Sequence, residues 1–350
     1  MPVSIAVLGA GIFAREEYIP VITSCSSVSL KAVYSRSKRS SEALASQSNV
    51  SPDIYYDTLS AAGKSLDDLL QRQDIEAVII CLPILVQPEV IRKSLASGKH
   101  VLSEKPMAKD AETARELIQW HGNHAASKVW MVAENLRFID CITVGASKMR
   151  ELGGHLTTFS MNLFTFVDEK NKFYQTEWRK MPEYQGGFLL DGGVHFIAGL
   201  RSILDALGQD IREVAAYTSL LEDRLAPVDT IHAILRTGAD RSGSFNLSFG
   251  TEFKSGFEIE VVTTKGTINI ARTYVKVVRK DTGGEKKEEQ TEVTWTTGVK
   301  AEVEAFAASI KAGFPDPRGA PEQALADLRV LQSMLASGEQ HGAVKSTVEQ

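Results

Sequence analysis

The alternation of strand and helix patterns over the first third of the chain is the feature that most restricts its fold. Val3–Leu8, Val28–Tyr34 and Ile75–Leu82 are short apolar runs, typical of strands that are buried on both faces. Amphipathic segments such as Pro88–Ser97 and Asp110–His121 lie between runs of this kind. Because short connections between alternating strands and helices produce parallel strands with right-handed crossovers, the pattern predicts a doubly wound parallel sheet.

The pattern changes after about residue 135, where strands begin to follow one another. A helix is predicted over Val194–Leu207, and successive strands then extend as far as Thr291–Thr296. Asp281–Gln290, with two glycines and a Lys286-Lys287 pair, is typical of a solvated hairpin tip. Successive strands indicate a large, mostly antiparallel open sheet, so the second part is α+β. We therefore predict two domains, residues 1–135 and residues 136–350.

Composition limits the classes of partner. The 350 residues include 39 Lys and Arg against 44 Asp and Glu, a net charge of −5, which argues against a nucleic-acid partner. The longest apolar runs are far shorter than the ~20 residues that span a bilayer, and the N-terminus has the pattern of a strand rather than of a signal peptide. Cys25, Cys81 and Cys141 are widely spaced, which favours a reducing compartment. We expect a cytoplasmic protein with no membrane partner.

A glycine-rich turn follows the first predicted strand. The sequence G-A-G-I-F-A at positions 9 to 14 has the spacing of a dinucleotide-binding turn, and it opens a helix. Gly9 permits the tight turn, Gly11 lets a pyrophosphate approach the backbone, and Ala14 keeps helix and strand close. The first helical N–H groups, at Ile12 and Phe13, then receive the phosphates. The alternative is a plain strand–turn–helix corner.

The end of the second strand distinguishes between the two nicotinamide cofactors. NAD-binding proteins usually carry Asp or Glu at this position, to accept from the ribose 2′-hydroxyl. Here Tyr34 is followed by Ser35, Arg36 and Lys38, a hydroxyl and cations that suit a 2′-phosphate. We therefore expect NADP(H) rather than NAD(H). The alternative is a solvated basic loop without a ligand.

Two further strand ends belong to the predicted cofactor edge. Ligands of open α/β sheets bind beside the carboxyl ends of the strands. Leu82 and Pro83 follow the strand Ile75–Leu82, and Glu104 and Lys105 follow His100–Ser103. Lys105 could therefore reach the nicotinamide and the reacting oxygen. The alternative interpretation is that Lys105 is an ordinary surface lysine.

Four motifs together resemble the glucose–fructose oxidoreductase / inositol dehydrogenase / MocA (Gfo/Idh/MocA) family, and within it a fungal subgroup of NADPH-linked oxidoreductases. The resemblance covers nearly the whole chain and implies a Rossmann domain followed by an open-sheet α/β domain for substrate binding and oligomerisation. It also implies a homodimer or homotetramer formed through the outer face of that sheet. The sequence departs from the family where Pro83 is followed by Ile84 and where Gln87 stands near the usual His. The motifs are Gly9–Ala14, Ala96–Pro106, Trp178–Arg179 and Gly186–His195.

Asp191 and His195 are four residues apart, so on a helix they share one face. A histidine moves protons near neutral pH, and a carboxylate can fix its tautomer. The alternative role for Asp191 is to cap the N-terminus of a helix that starts at Gly192. The alternative for His195 is a histidine that faces the core. The resemblance implies that His195 is the main acid/base, that Asp191 orients it or binds a substrate hydroxyl, and that Lys105 polarises the carbonyl and relays the proton.

Four further residues are candidates for lining the substrate pocket. The resemblance brings Arg179 near the pocket, although a structural salt bridge is an equal alternative. Asn135 and Arg137 follow the last Rossmann strand, where they line the cleft or brace a domain junction. Tyr184 is a candidate for the pocket wall. The remaining histidines have no metal-ligand spacing, so we predict no metal site.

These residues predict an NADP(H)-dependent oxidoreductase that transfers a hydride between nicotinamide and a carbonyl or secondary alcohol. By resemblance the substrate is a sugar, a polyol or a related aldehyde or ketone, and reduction is the favoured direction. Imines and trans-dihydrodiols are alternative substrates. A non-catalytic dinucleotide-binding sensor of the galactose-repressor type, and an enzyme that retains its cofactor between turnovers, are alternative functions.

Overall fold

The computed structural model describes residues 1–57 and 63–348, which form two compact units. The first unit combines Met1–Asn135 with Thr297–Leu325, and the second combines Leu136–Thr296 with Ala326–Gln350. The sequence pattern had assigned residues 297–325 to the second domain. Strand–helix alternation cannot assign such a segment, because its membership depends on contacts with residues far away along the chain.

Regular structure covers most of the described residues. The helices are α1 (Ile19–Ser24), α2 (Lys38–Ala45), α3 (Leu66–Leu70), α4 (Gln87–Ala96), α5 (Ala111–His124), α6 (Asp140–Leu152), α7 (Glu177–Lys180), α8 (Gly187–Asp205), α9 (Val299–Ala312) and α10 (Pro321–Glu339). The strands are β1 (Val3–Leu8), β2 (Val28–Tyr34), β3 (Asp53–Tyr55), β4 (Ala77–Ile80), β5 (His100–Glu104), β6 (Trp130–Ala133), β7 (Leu156–Phe164), β8 (Ile211–Ser219), β9 (Thr230–Thr237), β10 (Ser242–Ser248), β11 (Gly256–Thr263), β12 (Gly266–Ala271), β13 (Tyr274–Lys280), β14 (Lys286–Glu292) and β15 (Lys345–Ser346).

The first unit contains a six-stranded sheet in the order β3-β2-β1-β4-β5-β6, in which every pair is parallel. This is the strand order of dinucleotide-binding folds, and it confirms the predicted doubly wound sheet. The central strands are buried on both faces, as their apolar sequences require. The indole of Trp130, which is fully buried, donates to the Ser103 hydroxyl at 3.0 Å. Because all six strands are parallel, their carboxyl ends meet at one edge.

The second unit contains a nine-stranded sheet within the described residues, in the order β14-β13-β12-β11-β7-β10-β9-β8-β15. Its pairs are antiparallel except for β7 with β10, which confirms the predicted mostly antiparallel open sheet. Helix α6 packs closely against one face, since a Cβ added at Gly145 would lie 2.4 Å from a side-chain carbon of Ile270. The other face carries exposed side chains such as Ile234 and Tyr217.

The edge strand β14 corrects one sequence prediction. The strand expected over Thr291–Thr296 instead runs over Lys286–Glu292, so the Lys286-Lys287 pair lies in a strand and not in the hairpin tip. The Lys287 ammonium pairs with the Asp281 carboxylate at 2.8 Å. All the side chains of this strand are charged or polar, so it lacks apolar alternation. Its pairing with β13, rather than its own pattern, determines where it lies.

Helix α8 begins at Gly187 and not at Val194 as predicted. Glycines disfavour a helix, so propensity alone places the start too late. At Gly187 the φ angle is +50°, and an added Cβ would lie 2.9 Å from the Ala226 carbonyl oxygen. Close packing therefore requires glycine there. This is also the one helix in the described chain long and apolar enough to cross a membrane, and 72% of that stretch is buried within the structure, as in a core helix.

Candidate functional site

The glycine-rich turn lies at the carboxyl edge of the six-stranded sheet. Gly9 has a φ of +114°, and an added Cβ would lie 2.1 Å from the Cys81 carbonyl oxygen, so only glycine fits. An added Cβ at Gly11 would meet nothing within 4 Å. The backbone of Gly11 therefore faces open space, as a phosphate cradle requires. Ala14 is fully buried and begins a π-helical segment, Ala14–Tyr18, of a kind often found at functional sites.

The residues that follow β2 form a polar and basic loop at the same edge. The Ser35 backbone N–H donates to the Tyr55 carbonyl at 3.2 Å, which ties the loop to β3. Arg36 and Lys38 are exposed, and Lys38 makes an exposed ion pair with Glu42 at 3.7 Å. Ser37 caps α2, because its hydroxyl accepts from the Ser40 N–H at 3.2 Å. The loop is thus held by its backbone, while its cationic side chains extend into solvent.

Lys105 follows β5, and the residue before it is firmly held. The Tyr18 hydroxyl donates to one Glu104 carboxylate oxygen at 2.8 Å, and the Lys105 backbone N–H donates to the other at 3.3 Å. Tyr18 is fully buried, and burial together with the nearby Glu104 raises the pKa of its phenol well above the ordinary value. Glu104 therefore acts as a fixed support for the backbone at Lys105.

The segment after Lys105 is held from the adjacent strand end. The Lys105–Pro106 peptide is cis, and the side-chain amide of Gln87 donates to the Pro106 carbonyl at 3.1 Å. Gln87 is fully buried at the start of α4. Leu82 and Pro83, in the loop before α4, are partly exposed at the same edge. Gln87, at the position where the sequence departs from the family pattern, therefore supports the backbone next to Lys105.

In the second unit an ion pair joins two of the predicted site residues. The Arg179 guanidinium (Nε) contacts the Asp191 carboxylate (Oδ2) at 2.7 Å. Asp191 is buried on α8, while Arg179 stacks on the Trp178 ring, with 4.0 Å from its guanidinium carbon to the ring centroid. Arg179 therefore does form a salt bridge, as its alternative role predicted, and its partner Asp191 is itself a candidate site residue.

Tyr184 lies beside this ion pair. Its ring is 6.5 Å from that of Trp178, measured between centroids. Among the described residues its buried hydroxyl has no hydrogen-bond partner. Burial, and secondarily the Asp191 carboxylate, raise the pKa of this phenol above its ordinary value. Tyr184 therefore remains neutral and can donate a hydrogen bond to a ligand.

His195 lies one turn beyond Asp191 on α8, so the two side chains share one face of the helix. His195 is partly exposed. The N-cap alternative for Asp191 is wrong, because α8 begins at Gly187 and Asp191 lies within it. The second unit therefore brings Asp191, Arg179 and Tyr184 together, with His195 on the adjacent turn.

Two other candidates have structural partners. The side-chain amide of Asn135 donates to the Thr297 carbonyl at 2.7 Å within the first unit. Arg137 is buried and pairs with the buried Asp327 at 2.7 Å within the second unit. Each side chain joins segments that are far apart in the sequence, and neither contact provides a group for substrate.

The sequence analysis did not identify Tyr18 or Glu302. Glu302 is fully buried in α9, and burial, with the charges of Glu104 and Glu134 secondarily, raises the pKa of its carboxyl group well above the ordinary value. A signal was present, because Glu302 lies on the apolar stripe of this helix, between Val299 and Phe306. A charged residue on the buried face of an amphipathic helix indicates a special environment.

The described residues contain no group of three or more His, Cys, Asp or Glu side chains that could hold a metal ion. The histidines instead make local contacts. The His100 imidazole accepts from the Val129 N–H at 2.9 Å, and that of His121 bonds to the Lys128 carbonyl at 2.8 Å.

Comparisons with known proteins agree with this architecture. Residues 3–131 match the NAD-binding Rossmann fold of an oxidoreductase family, and residues 151–345 match its C-terminal alpha/beta domain. The chain belongs to the Gfo/Idh/MocA family of oxidoreductases, as its motifs predicted.

Similar proteins include dehydrogenases and reductases. Dehydrogenase FPY6 from Fusarium mangiferae is 48% identical over 343 residues, which cover 98% of each chain. An oxidoreductase from Agrobacterium radiobacter, solved with NAD+, L-tartaric acid and magnesium, has a TM-score of 0.84 at 14% identity and covers 99% of both chains. KijD10, a 3-ketoreductase from Actinomadura kijaniata solved with NADP and TDP-benzene, has a TM-score of 0.74 at 20% identity over 96% of this chain and 98% of its own.

Proposed function

We propose that this protein is an NADP(H)-dependent oxidoreductase that transfers a hydride between nicotinamide and a carbonyl or alcohol group of a small polar substrate, with reduction as the favoured direction. The observation that carries the proposal is the turn at Gly9 and Gly11. One glycine is required by the close approach of the Cys81 backbone, and the other leaves the backbone open to a ligand. A turn built this way serves a dinucleotide pyrophosphate.

The cofactor is assigned to the carboxyl edge of the six-stranded sheet. Gly9, Gly11, Ile12 and Phe13 would hold the pyrophosphate, while Ser35, Arg36 and Lys38 would hold a 2′-phosphate. Leu82, Pro83, Glu104 and Lys105 would hold the nicotinamide end. The exposed cations after β2 support NADP(H), and the ligand of KijD10 supports it for a protein of the same fold. When bound, the cofactor supplies the hydride chemistry.

The proton path is assigned to Lys105 and His195. A lysine ammonium polarises a carbonyl oxygen and gives it a proton, and an imidazole exchanges a proton near neutral pH. Glu104 fixes the backbone at Lys105, while Asp191, paired with Arg179, is positioned one helical turn before His195. Both proton-transfer groups are therefore attached to rigid parts of the fold.

The substrate class is a sugar, a polyol or a related aldehyde or ketone. Asp191, Arg179 and the neutral hydroxyl of Tyr184 provide an acceptor, a cation and a donor in one place. Such a set suits a substrate with several hydroxyl groups. Asn135 is a weaker candidate for substrate binding, because its side-chain amide already donates to the Thr297 carbonyl.

We also propose a homodimer or homotetramer in the cytoplasm, formed through the open face of the nine-stranded sheet. Ile234 is 56% exposed and Tyr217 is 65% exposed on neighbouring strands of that face. Apolar side chains exposed together often mark an association surface. Light scattering of Ile234→Glu should show a smaller particle than the wild type, and an unchanged mass would remove this face from assembly.

The test of function is the oxidation of NADPH against a panel of sugars, aldehydes, diketones and cyclic imines. Lys105→Ala is measured alongside the wild type, with the exposed Lys109→Ala as its control. Turnover that falls at least ~100-fold in Lys105→Ala alone would support the proposal. Equal turnover in both variants would remove Lys105 from the mechanism. Tight NADPH binding without any turnover would favour a sensor or a retained cofactor.

A further inference from the structure

Arg15 is a cation beside the glycine-rich turn that the proposed function does not use. It lies in the first turn of the π-helical segment Ala14–Tyr18, where its backbone N–H donates to the Gly11 carbonyl at 3.1 Å. Helical side chains lean towards the N-terminus of their helix. The Arg15 side chain does so, because one terminal nitrogen of its guanidinium (Nη1) donates to the Ala10 carbonyl at 3.0 Å. The guanidinium is therefore fixed at the residue between the two glycines of the turn.

The positive charge of this guanidinium has no carboxylate partner among the residues that the structure describes. The one described partner of the side chain is the neutral carbonyl of Ala10. Glu16 and Glu17 follow directly, but successive positions on a helix do not face each other. A guanidinium has five N–H donors, and the contact with Ala10 uses one of them. The positive charge and most of the donors of this partly exposed side chain therefore remain for a ligand at the turn.

A pyrophosphate in this turn needs a positive charge that the turn itself lacks. The sequence G-A-G-I-F-A at positions 9 to 14 contains no ionisable side chain. The backbone N–H groups at the turn carry only partial charges, whereas each phosphate of a dinucleotide is an anion. Arginine suits such a group, because its planar fork can donate two parallel hydrogen bonds to phosphate oxygens and its charge strengthens both. Arg15 is the first cation after the turn.

We propose that Arg15 is a cofactor-binding residue that contacts the pyrophosphate of the dinucleotide. The Ala10 carbonyl holds one edge of the guanidinium, and the remaining N–H groups donate to phosphate oxygens. The proposal rests on the proposed function and gives two cations of the first unit different tasks. Arg15 serves the pyrophosphate that NADPH and NADH share, whereas Arg36 serves the 2′-phosphate that only NADPH carries.

Fluorescence titration with NADPH and with NADH tests this contact without any substrate. In Arg15→Ala the affinity for both cofactors should fall by a similar factor, about 10- to 100-fold, the scale of lost hydrogen bonds to a charged group. The control is Arg115→Ala in α5 of the same unit, which removes a pair with Glu112 and should leave both affinities unchanged. Unchanged affinities in Arg15→Ala, or a loss confined to NADPH, would overturn the proposal.

Two conservative variants separate the charge of Arg15 from its support of the turn. Arg15→Gln keeps an amide donor for the Ala10 carbonyl and loses the charge, whereas Arg15→Lys keeps the charge. Arg15→Lys should retain most of the affinity for NADPH, and Arg15→Gln should bind as weakly as Arg15→Ala. Thermal unfolding without cofactor verifies that each variant is folded. Wild-type affinity in Arg15→Gln would show that the side chain only braces the turn, and would overturn the proposal.

The fragment 2′-AMP shows which phosphate Arg15 serves. It carries the 2′-phosphate and lacks the pyrophosphate, so Arg15→Ala should bind it as the wild type does. A loss of 2′-AMP affinity equal to that of NADPH would refute the assignment to the pyrophosphate. Arg15-dependent binding of both dinucleotides without turnover of any substrate would defeat the proposed oxidoreductase alone. Turnover with NADPH that Arg15→Ala leaves unchanged in kcat and in KM would defeat the assignment of Arg15 alone.

Discussion

The Arg179 guanidinium contacts the Asp191 carboxylate at 2.7 Å, although the two residues belong to different helices. Asp191 is the carboxylate assigned to orient His195 or to bind a substrate hydroxyl. Its charge is therefore balanced before any substrate arrives, because Arg179 is held both by this contact and by the Trp178 ring. The stability of this unit and the proposed binding of substrate consequently depend on the same pair.

Loss of Arg179 should destabilise the second unit. Arg179→Ala leaves the buried Asp191 carboxylate without its cation, which costs about 3–5 kcal/mol in comparable buried pairs. The measurement is the free energy of unfolding in urea. The control is Arg236→Ala, which removes an exposed pair with Glu213 and should cost at most about 1 kcal/mol. Equal losses in the two variants would mean that the Arg179–Asp191 pair has no special role in stability.

Loss of Arg36 should change the cofactor preference. Arg36→Ala removes a cation that is exposed at the end of β2, so NADPH binding should weaken about 10- to 100-fold, the scale of a lost charge-assisted hydrogen bond. NADH carries no 2′-phosphate, so its binding should change little. Fluorescence titration with both cofactors measures this, with Arg212→Ala in the second unit as control. A parallel loss of NADH affinity would rule out a specific contact with the 2′-phosphate.

Substitution of the two glycines of the turn should have different effects. Gly9→Ala drives a Cβ into the Cys81 carbonyl oxygen, so the protein should lose stability or fail to fold. Gly11→Ala meets nothing within 4 Å, so it should fold normally and lose NADPH affinity at least ~10-fold, because the new methyl group occupies the approach of the phosphate. Calorimetry with and without NADPH separates the two effects. Normal NADPH affinity in Gly11→Ala would show that the phosphate binds elsewhere.

The stability of the first unit should depend on pH through Glu302. Its pKa is raised in the folded state, so between the ordinary pKa of a glutamate and this raised value the native state binds one more proton than the unfolded state. Stability from this group is complete below the ordinary pKa and falls by about 1.4 kcal/mol per pH unit until the raised pKa is reached.

Glu302→Gln removes this dependence, because glutamine does not titrate. Relative to the wild type, the variant should gain stability as the pH rises above the ordinary pKa of a glutamate. Glu304→Gln, at an exposed position, should follow the wild type at every pH. Thermal unfolding across the pH range provides the measurement. Parallel curves for Glu302→Gln and the wild type would show that Glu302 keeps an ordinary pKa.

Local patterns determined much of the fold. Val3–Leu8 and Val28–Tyr34 form strands with the bounds that the sequence predicted, because buried parallel strands require continuous apolar runs. The glycine-rich turn could also be predicted, because its residues are consecutive in the sequence. The late start predicted for α8 and the wrong bounds predicted for β14 have a different cause, because packing and strand pairing override local propensity.

The sequence by itself therefore determined the doubly wound sheet, the open sheet after it and the residue types of the candidate site. Only the tertiary structure decided that Arg179 pairs with Asp191, that the Tyr18 hydroxyl bonds to Glu104, and that Glu302 is fully buried. Periodicity and motifs act between neighbours in the chain. Charge pairing and desolvation depend on distances in space, which are fixed only when remote segments pack together.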